Sequence, residues 1–321
     1  MKVGIIATSP IVPWFIEATK PFESVKILAI SSRNADKAKP YAEQFQIPKI
    51  YTDIEDMCKD PDIDTIYLTS PNFLHYSQTK MALSYGKNVI NEKPFAATLA
   101  QAKELYELAE KNHVFLFDMA ISREIERYEF IKQYIDQLGE IHLFKNNQSQ
   151  YSRKYDAFLA GETPNVFDPE KEGGALMDLG VYNTTLAVML FGKPDEVFYI
   201  PVIERGIDIS GELILKYPKV ICESSTSKNT ASQNMILVQG EKGYLSIEKG
   251  YPEEKARLQL NHEEKETLSN TMSIEKLDRI VRCMDEGDTS LYAFEKETVL
   301  TVVDILEKAR KCAGIVFPSD R

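Results

Sequence analysis

The chain has 321 residues, enough for two domains that each bury a core, and its 43% hydrophobic and 27% charged content is that of an ordinary folded protein. A net charge of −11 argues against broad nucleic-acid binding, because a surface that tracks phosphates needs a basic excess, and no apolar run approaches the roughly 18 residues of a membrane span. Cys58, Cys222, Cys283 and Cys312 are scattered, without a paired spacing or histidines at metal-ligand distance, so they read as reduced thiols and no metal site is expected.

The first apolar run, "KVGIIA", reads as a strand, followed by the loop "ATSPIVP" and the amphipathic helix "WFIEATK". Lys2 and this run imitate a secretory signal, but Pro10, Pro13 and Glu17 interrupt it, which points to a cytoplasmic protein. Further apolar runs, "VKILAISS", "TIYLTS", "NVIN" and "VFLFDMA", alternate with the helical patterns "ADKAKPYAEQF", "NFLHYSQTKMALSYG" and "TLAQAKELYELAEKN". That alternation is the signature of βαβ units and a parallel sheet. Thr98 and Gln101 form a capping box for the last of these helices, and Gly86 stands where the one before it stops.

After a helix in "EIERYEFIKQYIDQLG" the pattern changes to "EIHLFKNNQSQY", "EVFYIPVI", "SGELILKY", "VICESST", "MILVQG" and "YLSIEK", most of them separated only by turns. Such a series predicts an antiparallel sheet. Its covering helices are "GGALMDLGVYNTTLAVMLFG", "TMSIEKLDRIVRCMDEG" and "AFEKETVLTVVDILEKARKCAG". The expected fold is therefore α/β, a doubly wound parallel sheet over 1–121, followed by an α+β domain over 122–321 with a large, mainly antiparallel sheet and a last helix able to pack back on the first domain. Trp14 and Tyr106 read as packing residues, and "EEKE" near residue 263 as a solvated edge.

Open α/β sheets bind ligands at the carboxyl ends of their strands, where three loops carry chemistry. In "ATSPIVP", Ala7, Ser9 and Val12 occupy positions where a dinucleotide loop uses glycine, and Pro10 and Pro13 remove two N–H donors. The N–H groups of Thr8, Ser9, Ile11 and Val12, with two hydroxyls, can still hold a pyrophosphate if the turn needs no positive φ. In "SSRN", about 20 residues on, no carboxylate is present for a ribose 2′-hydroxyl; Ser31, Ser32 and Arg33 suit a 2′-phosphate and hence NADP over NAD, or else form a solvated turn whose Asn34 caps the next helix. The third loop system, "TSPNFLH" to "NEKPFA", holds Thr69, Ser70, Asn72, His75, Glu92 and Lys93. Lys93, between Glu92 and Pro94 at a strand end, has a fixed place and a partnered charge, and Pro94 leaves the isomer of its preceding bond open.

With these segments the chain resembles the glucose-fructose oxidoreductase, inositol dehydrogenase and MocA (Gfo/Idh/MocA) family. "TSPNFLHYSQTKMALSYGKNVINEKPFA" is similar to its T-P-N-x-x-H and E-K-P segments, and "GGALMDLGVYNTTLAVMLFG" to its G-G-A-L-x-D-x-G-x-H segment. The resemblance implies a Rossmann domain binding NADP or NAD, a C-terminal sheet that packs in homodimers or higher homo-oligomers, and a small-molecule substrate, with no nucleic acid or membrane partner. It also implies that Lys93 is the catalytic or substrate-polarising lysine and that Asp178 lines the substrate site. Tyr182 stands where many members carry histidine, which resembles the dihydrodiol and xylose dehydrogenase branch. Asn165, before the second motif, falls where relatives contact substrate.

Those residue types suit alcohol–carbonyl interconversion, which needs a proton acceptor or donor at the oxygen while hydride moves at carbon. A tyrosine ordinarily ionises at about pH 10, and an ammonium such as that of Lys93 favours its phenolate. Asp178 and Tyr182, four residues apart, share a face of one helix. The competing reading, motivated by the glycine-poor loop, is a non-catalytic dinucleotide sensor.

Overall fold

The computed structural model describes residues 1–250, 253–262, 266–271 and 277–321. It divides into two compact units, Met1–Ser122 with Glu275–Leu300, and Arg123–Ile274 with Thr301–Arg321.

The first unit alternates strand and helix: β1 (Lys2–Ile6), α1 (Val12–Thr19), β2 (Lys26–Ser31), α2 (Ala35–Phe45), β3 (Lys49–Tyr51), α3 (Ile54–Lys59), β4 (Thr65–Leu68), α4 (His75–Ser84), β5 (Asn88–Asn91), α5 (Leu99–Lys111) and β6 (Leu116–Asp118). The six strands lie in the order β3-β2-β1-β4-β5-β6 and every pair is parallel. This places the order reversal at β1 and β4, the crevice where such sheets take dinucleotides. Local chemistry sets the helix ends as expected. Asn34 accepts the Asp36 N–H at 2.9 Å, and Thr98 accepts the Gln101 N–H at 3.3 Å. Gln101 returns its contact to the N–H of Ala97 rather than of Thr98, and Gly86 takes φ +70° past the end of α4.

Helix α6 (Met119–Tyr134) follows β6 directly. The second unit then contains β7 (Ile141–Ser149), α7 (Tyr155–Leu159), α8 (Val181–Phe191), β8 (Glu196–Glu204), β9 (Ile207–Lys216), β10 (Ile221–Ser227), β11 (Met235–Gly240), β12 (Gly243–Glu248), β13 (Glu253–Leu260) and β14 (Glu266–Thr271). Helices α9 (Asp278–Glu286) and α10 (Tyr292–Cys312) complete the chain. The eight strands run β14-β13-β12-β11-β7-β10-β9-β8. All pairs are antiparallel except β7 with β10, because β7 inserts between β11 and β10 instead of pairing with the strand that follows it.

One face of this sheet is covered. Phe144, Leu213, Cys222, Ile236, Leu245 and Ile247 are all buried, as is most of α8. The stretch Pro169–Phe191 is long and apolar enough to cross a membrane by length and composition, which corrects the expectation that no such run exists, but 78% of its apolar window is buried inside the protein. Trp14 also differs from expectation: it is 48% exposed on α1, whereas Tyr106 is buried and stacks on Phe95. The helix expected over 271–287 is observed as α9 from Asp278; residues 272–276 and the "EEK" of 263–265 lie outside the described residues. Three cysteines are buried and Cys312 is exposed, all as free thiols, and no metal-binding cluster occurs among the described residues.

Candidate active site

In the first unit the "ATSPIVP" loop leaves β1 at Ala7, whose φ is +78°. The loop therefore does require a positive φ, at a position where an alanine costs about 1 kcal/mol relative to glycine. The Ala7 N–H donates to Ser31 O at 3.1 Å, locking the loop to the end of β2, and the Val12 N–H donates to Ser9 O at 3.1 Å to start α1. Ala7 and Val12 thus shape the loop and offer no donor, a correction to the expected set. The N–H groups of Thr8, Ser9 and Ile11 have no partner among the described residues, and the Ser9 hydroxyl is buried without one. Three amides and an orphaned hydroxyl ahead of a helix N-terminus are a donor set that fits a pyrophosphate.

At the end of β2, Ser31 is buried and the Ser32 N–H donates to Tyr51 O at 3.0 Å. The Ser32 hydroxyl accepts the Asn34 N–H at 3.4 Å, and Arg33 projects into solvent. Asn34 caps α2, as the solvated-turn reading expects, and Arg33 stays exposed.

The loops after β4 and β5 are tied together by buried groups. Thr69 donates its hydroxyl to Ile6 O at 2.9 Å, and Ser70 donates its own to Gln78 Oε1 at 2.5 Å. Asn72 opens the short turn before α4. His75 is 1% exposed, with Nδ1 2.8 Å from Pro94 O and Nε2 2.7 Å from Ser70 O. Both ring nitrogens are taken by backbone, so His75 braces the two loops; burial holds its pKa below the ordinary value. The buried Glu92 accepts the Tyr67 hydroxyl at 2.9 Å and the Lys93 N–H at 3.3 Å, and Asn91 donates to Phe95 O at 2.8 Å. These contacts anchor the turn that carries Lys93, whose bond to Pro94 is cis.

In the second unit the glycines of the "GGALMDLG" motif have separate steric reasons. A Cβ on Gly173 would lie 2.6 Å from the Asn165 carbonyl oxygen, and one on Gly174, at φ +109°, would lie 2.2 Å from Asp208 Oδ1. Asp208 comes from β9 and is buried; it accepts the Leu176 N–H and the Tyr199 hydroxyl, each at 2.7 Å. It serves as a remote cap for the motif helix, whose own N-terminus carries no side-chain cap. Burial pushes the Asp208 carboxyl up to about 6 despite these hydrogen bonds. Asn165 sits on an exposed turn, where its carbonyl accepts the Asp168 N–H at 3.3 Å.

The motif opens with a π-helical turn, Leu176–Gly180, before α8 continues it, so Asp178 and Tyr182 do not share uniform α-helical geometry. Such turns recur at functional sites. Each residue is met by a cation from another element. Lys228, just past β10 and 5% exposed, donates to Asp178 Oδ2, and Arg123, from the first turn and a half of α6, donates to the Tyr182 hydroxyl with its guanidinium carbon 5.6 Å from the ring centroid. Sequence reasoning missed both cations. They lie 50 and 59 residues from their partners, and neither stands in a recognisable motif.

Residues 1–118 match the family described as "Oxidoreductase family, NAD-binding Rossmann fold" (GFO_IDH_MocA), and residues 128–246 match the GFO/IDH/MocA C-terminal domain. An uncharacterized oxidoreductase of Escherichia coli, YgjR, is 30% identical over all of this chain and 98% of its own length. The chain is a Gfo/Idh/MocA oxidoreductase. Another member of this family, the scyllo-inositol 2-dehydrogenase (NADP(+)) IolU of Bacillus subtilis, is 29% identical over all of this chain and 99% of its own. Mouse trans-1,2-dihydrobenzene-1,2-diol dehydrogenase is 26% identical over all of this chain and 99% of its own. The crystal structure of KijD10, a 3-ketoreductase from Actinomadura kijaniata in complex with NADP and TDP-benzene, superposes with a TM-score of 0.84 at 20% identity and 97% coverage of both chains, a likeness of fold. This Gfo/Idh/MocA protein is accordingly an enzyme with a nicotinamide dinucleotide as its cofactor.

Proposed function

We propose that this enzyme is an NADP-dependent dehydrogenase or reductase acting on a carbinol or carbonyl carbon of a sugar, polyol or cyclic diol. The observation that carries this reading is the charge-compensated motif helix, with Tyr182 held by Arg123 and Asp178 held by Lys228. Keeping an acid–base hydroxyl and a carboxylate under separate cations is what a proton-transfer site needs; a sensor that only binds a dinucleotide does not need it. IolU and the dihydrodiol dehydrogenases, named for alcohol oxidation, support the substrate class.

Thr8, Ser9 and Ile11 would hold the pyrophosphate, and Arg33, with Ser31 and Ser32, the 2′-phosphate. Thr69, Ser70, Asn72 and Glu92 would form the nicotinamide side, directly or through the loops they brace. The bound dinucleotide accepts or supplies the hydride. Lys93 polarises the substrate oxygen, Tyr182 Oη takes its proton in oxidation and returns it in reduction, and Asp178 with Asn165 orients the remaining hydroxyls. Arg33 supports NADP over NAD because an exposed guanidinium pairs with a 2′-phosphate, and "SSRN" offers no carboxylate to a 2′-hydroxyl. Titration with NADPH and NADH tests this: NADPH should bind at least tenfold tighter, and Arg33→Ala should erase most of the difference. Equal affinities contradict the preference. NADPH binding without turnover of scyllo-inositol, myo-inositol, D-xylose, D-glucose or trans-cyclohexane-1,2-diol favours the sensor.

We also infer that the enzyme self-associates through the open face of its large sheet, in the cytoplasm, where its free thiols stay reduced. Phe198, Ile200 and Val202 on β8 are exposed, and the same face carries Leu143, Ile221 and Met235. Exposed apolar side chains recurring across one sheet face favour a partner surface. Ile200→Asp should shift sedimentation toward monomer; an unchanged profile contradicts this interface.

A further inference from the structure

We propose that Arg123 is a positioning residue for the proton transfer assigned to Tyr182, fixing which way the tyrosine hydroxyl presents its proton. The inference rests on that assignment and adds a residue to it. Arg123 is the fifth residue of α6, and the helix start that carries it is rigid: Met119, Ala120, Ile121, Ser122 and Glu124 are each at most 1% exposed. The guanidinium meets the phenol at its hydroxyl end, donating Nη1–H to Oη with its central carbon 5.6 Å from the ring centroid.

A guanidinium is donor-only and stays charged throughout any assay range. At this contact Oη can therefore act only as acceptor, and its own proton must point away from Arg123. In the reducing direction that aims the O–H toward an incoming oxygen; in the oxidising direction the fixed positive charge favours the oxygen that is to receive a proton. The step balances. In oxidation the carbinol O–H breaks and its proton moves to Oη, which starts the step as the phenolate, while the C–H electron pair would leave with its hydrogen to the nicotinamide of a bound dinucleotide. Oη afterwards returns its proton to solvent. A lysine here would keep the charge but not the planar fork, and a methionine would keep the volume but neither charge nor donor.

The second cation of the motif helix sets the contrast. Lys228 neutralises Asp178, a group given an orienting task, so its loss should fall on substrate binding. Loss of Arg123 should instead fall on turnover and on its pH dependence.

The test compares wild type, Arg123→Met, Arg123→Lys and Tyr182→Phe, using the polyol of the panel turned over fastest with NADP. It reads kcat, KM, the pH profile of kcat, and NADPH affinity by fluorescence. Arg123→Met should lower kcat at least tenfold with KM changed less than threefold, move the optimum for oxidation to higher pH, and leave NADPH affinity within twofold. Arg123→Lys should recover a substantial part of kcat and of the profile; if Arg123→Met does not fold, Arg123→Lys should still show a threefold or larger fall in kcat with the same displacement. Wild-type kcat and pH profile in either folded Arg123 variant, with Tyr182→Phe inactive, overturns the proposal for Arg123 alone. Full turnover by Tyr182→Phe overturns the underlying assignment of Tyr182.

Discussion

Lys228 forms an ion pair with Asp178, the ammonium 7% exposed and the carboxylate 28%. One member of the pair is thus shut away from water while the other still reaches it. Removing the buried cation leaves a partly buried carboxylate without its partner, which is costlier than removing both. Lys228→Met should raise KM for a polyol at least tenfold and leave NADPH affinity within twofold. Steady-state kinetics beside a fluorescence titration separate these effects, and a KM equal to that of wild type contradicts the orienting role of Asp178.

Gly174 admits Asp208 to the start of the motif helix, and a side chain at 174 meets both a left-handed backbone and the Asp208 carboxylate. Gly174→Ala should therefore cost about 2–4 kcal/mol of stability, combining backbone strain with overpacking. Urea unfolding measures it. A loss within experimental error of zero would mean that Asp208 does not cap this helix.

The two small residues of the "ATSPIVP" loop should respond oppositely to glycine. Ala7→Gly relieves a positive φ and should stabilise the protein by about 1 kcal/mol, with NADPH affinity equal or tighter. Ser9→Gly deletes a buried hydroxyl that has no partner among the described residues, and should weaken NADPH binding several-fold. Matching effects of the two substitutions would show that the loop does not hold the pyrophosphate in this way.

Asp118 supplies a pH signature. Burial pushes its carboxyl from the ordinary 3.8 up to about 7, opposed by the Ala120 N–H, which donates to it at 2.8 Å. The folded state thus binds the proton more tightly than the unfolded chain. The resulting stability is fully present below about pH 4 and is lost as pH rises through about 7. Asp118→Asn keeps the acceptor for Ala120 without the ionisation. Its stability relative to wild type should grow by about 4 kcal/mol between those limits and then level off. Parallel stability curves for the two proteins would assign the titration elsewhere.

The alternation of apolar runs and amphipathic helices made most of the parallel half legible, because those elements carry their own period and α2 and α5 their own caps, whereas the short β3 and α3 went unread. The large sheet was legible only where alternation is clean. β13 went unread because its inward side begins with Glu254, fully buried and paired with Arg127 at 2.9 Å, so "EEKARLQL" does not look amphipathic. The parallel pairing of β7 with β10 depends on a long excursion of the chain, which local pattern does not encode. Lys93, Asp178 and Tyr182 stood out through motif spacing. Arg123, Lys228 and Asp208 did not, since what defines them is a partner brought close by tertiary structure. The strained φ of Ala7 was hidden for a related reason: only glycine announces a left-handed turn in the sequence.

The role proposed for Lys93 in hydride transfer at an alcohol or carbonyl carbon is open to direct measurement. The most direct measurement is reduction of NADP at the nicotinamide absorbance across the sugar and polyol panel, by wild type and by Lys93→Ala. Wild type should turn over at least one panel member and Lys93→Ala should lose at least a hundredfold, with NADPH still bound within about threefold. Turnover by Lys93→Ala at the wild-type rate would contradict that role.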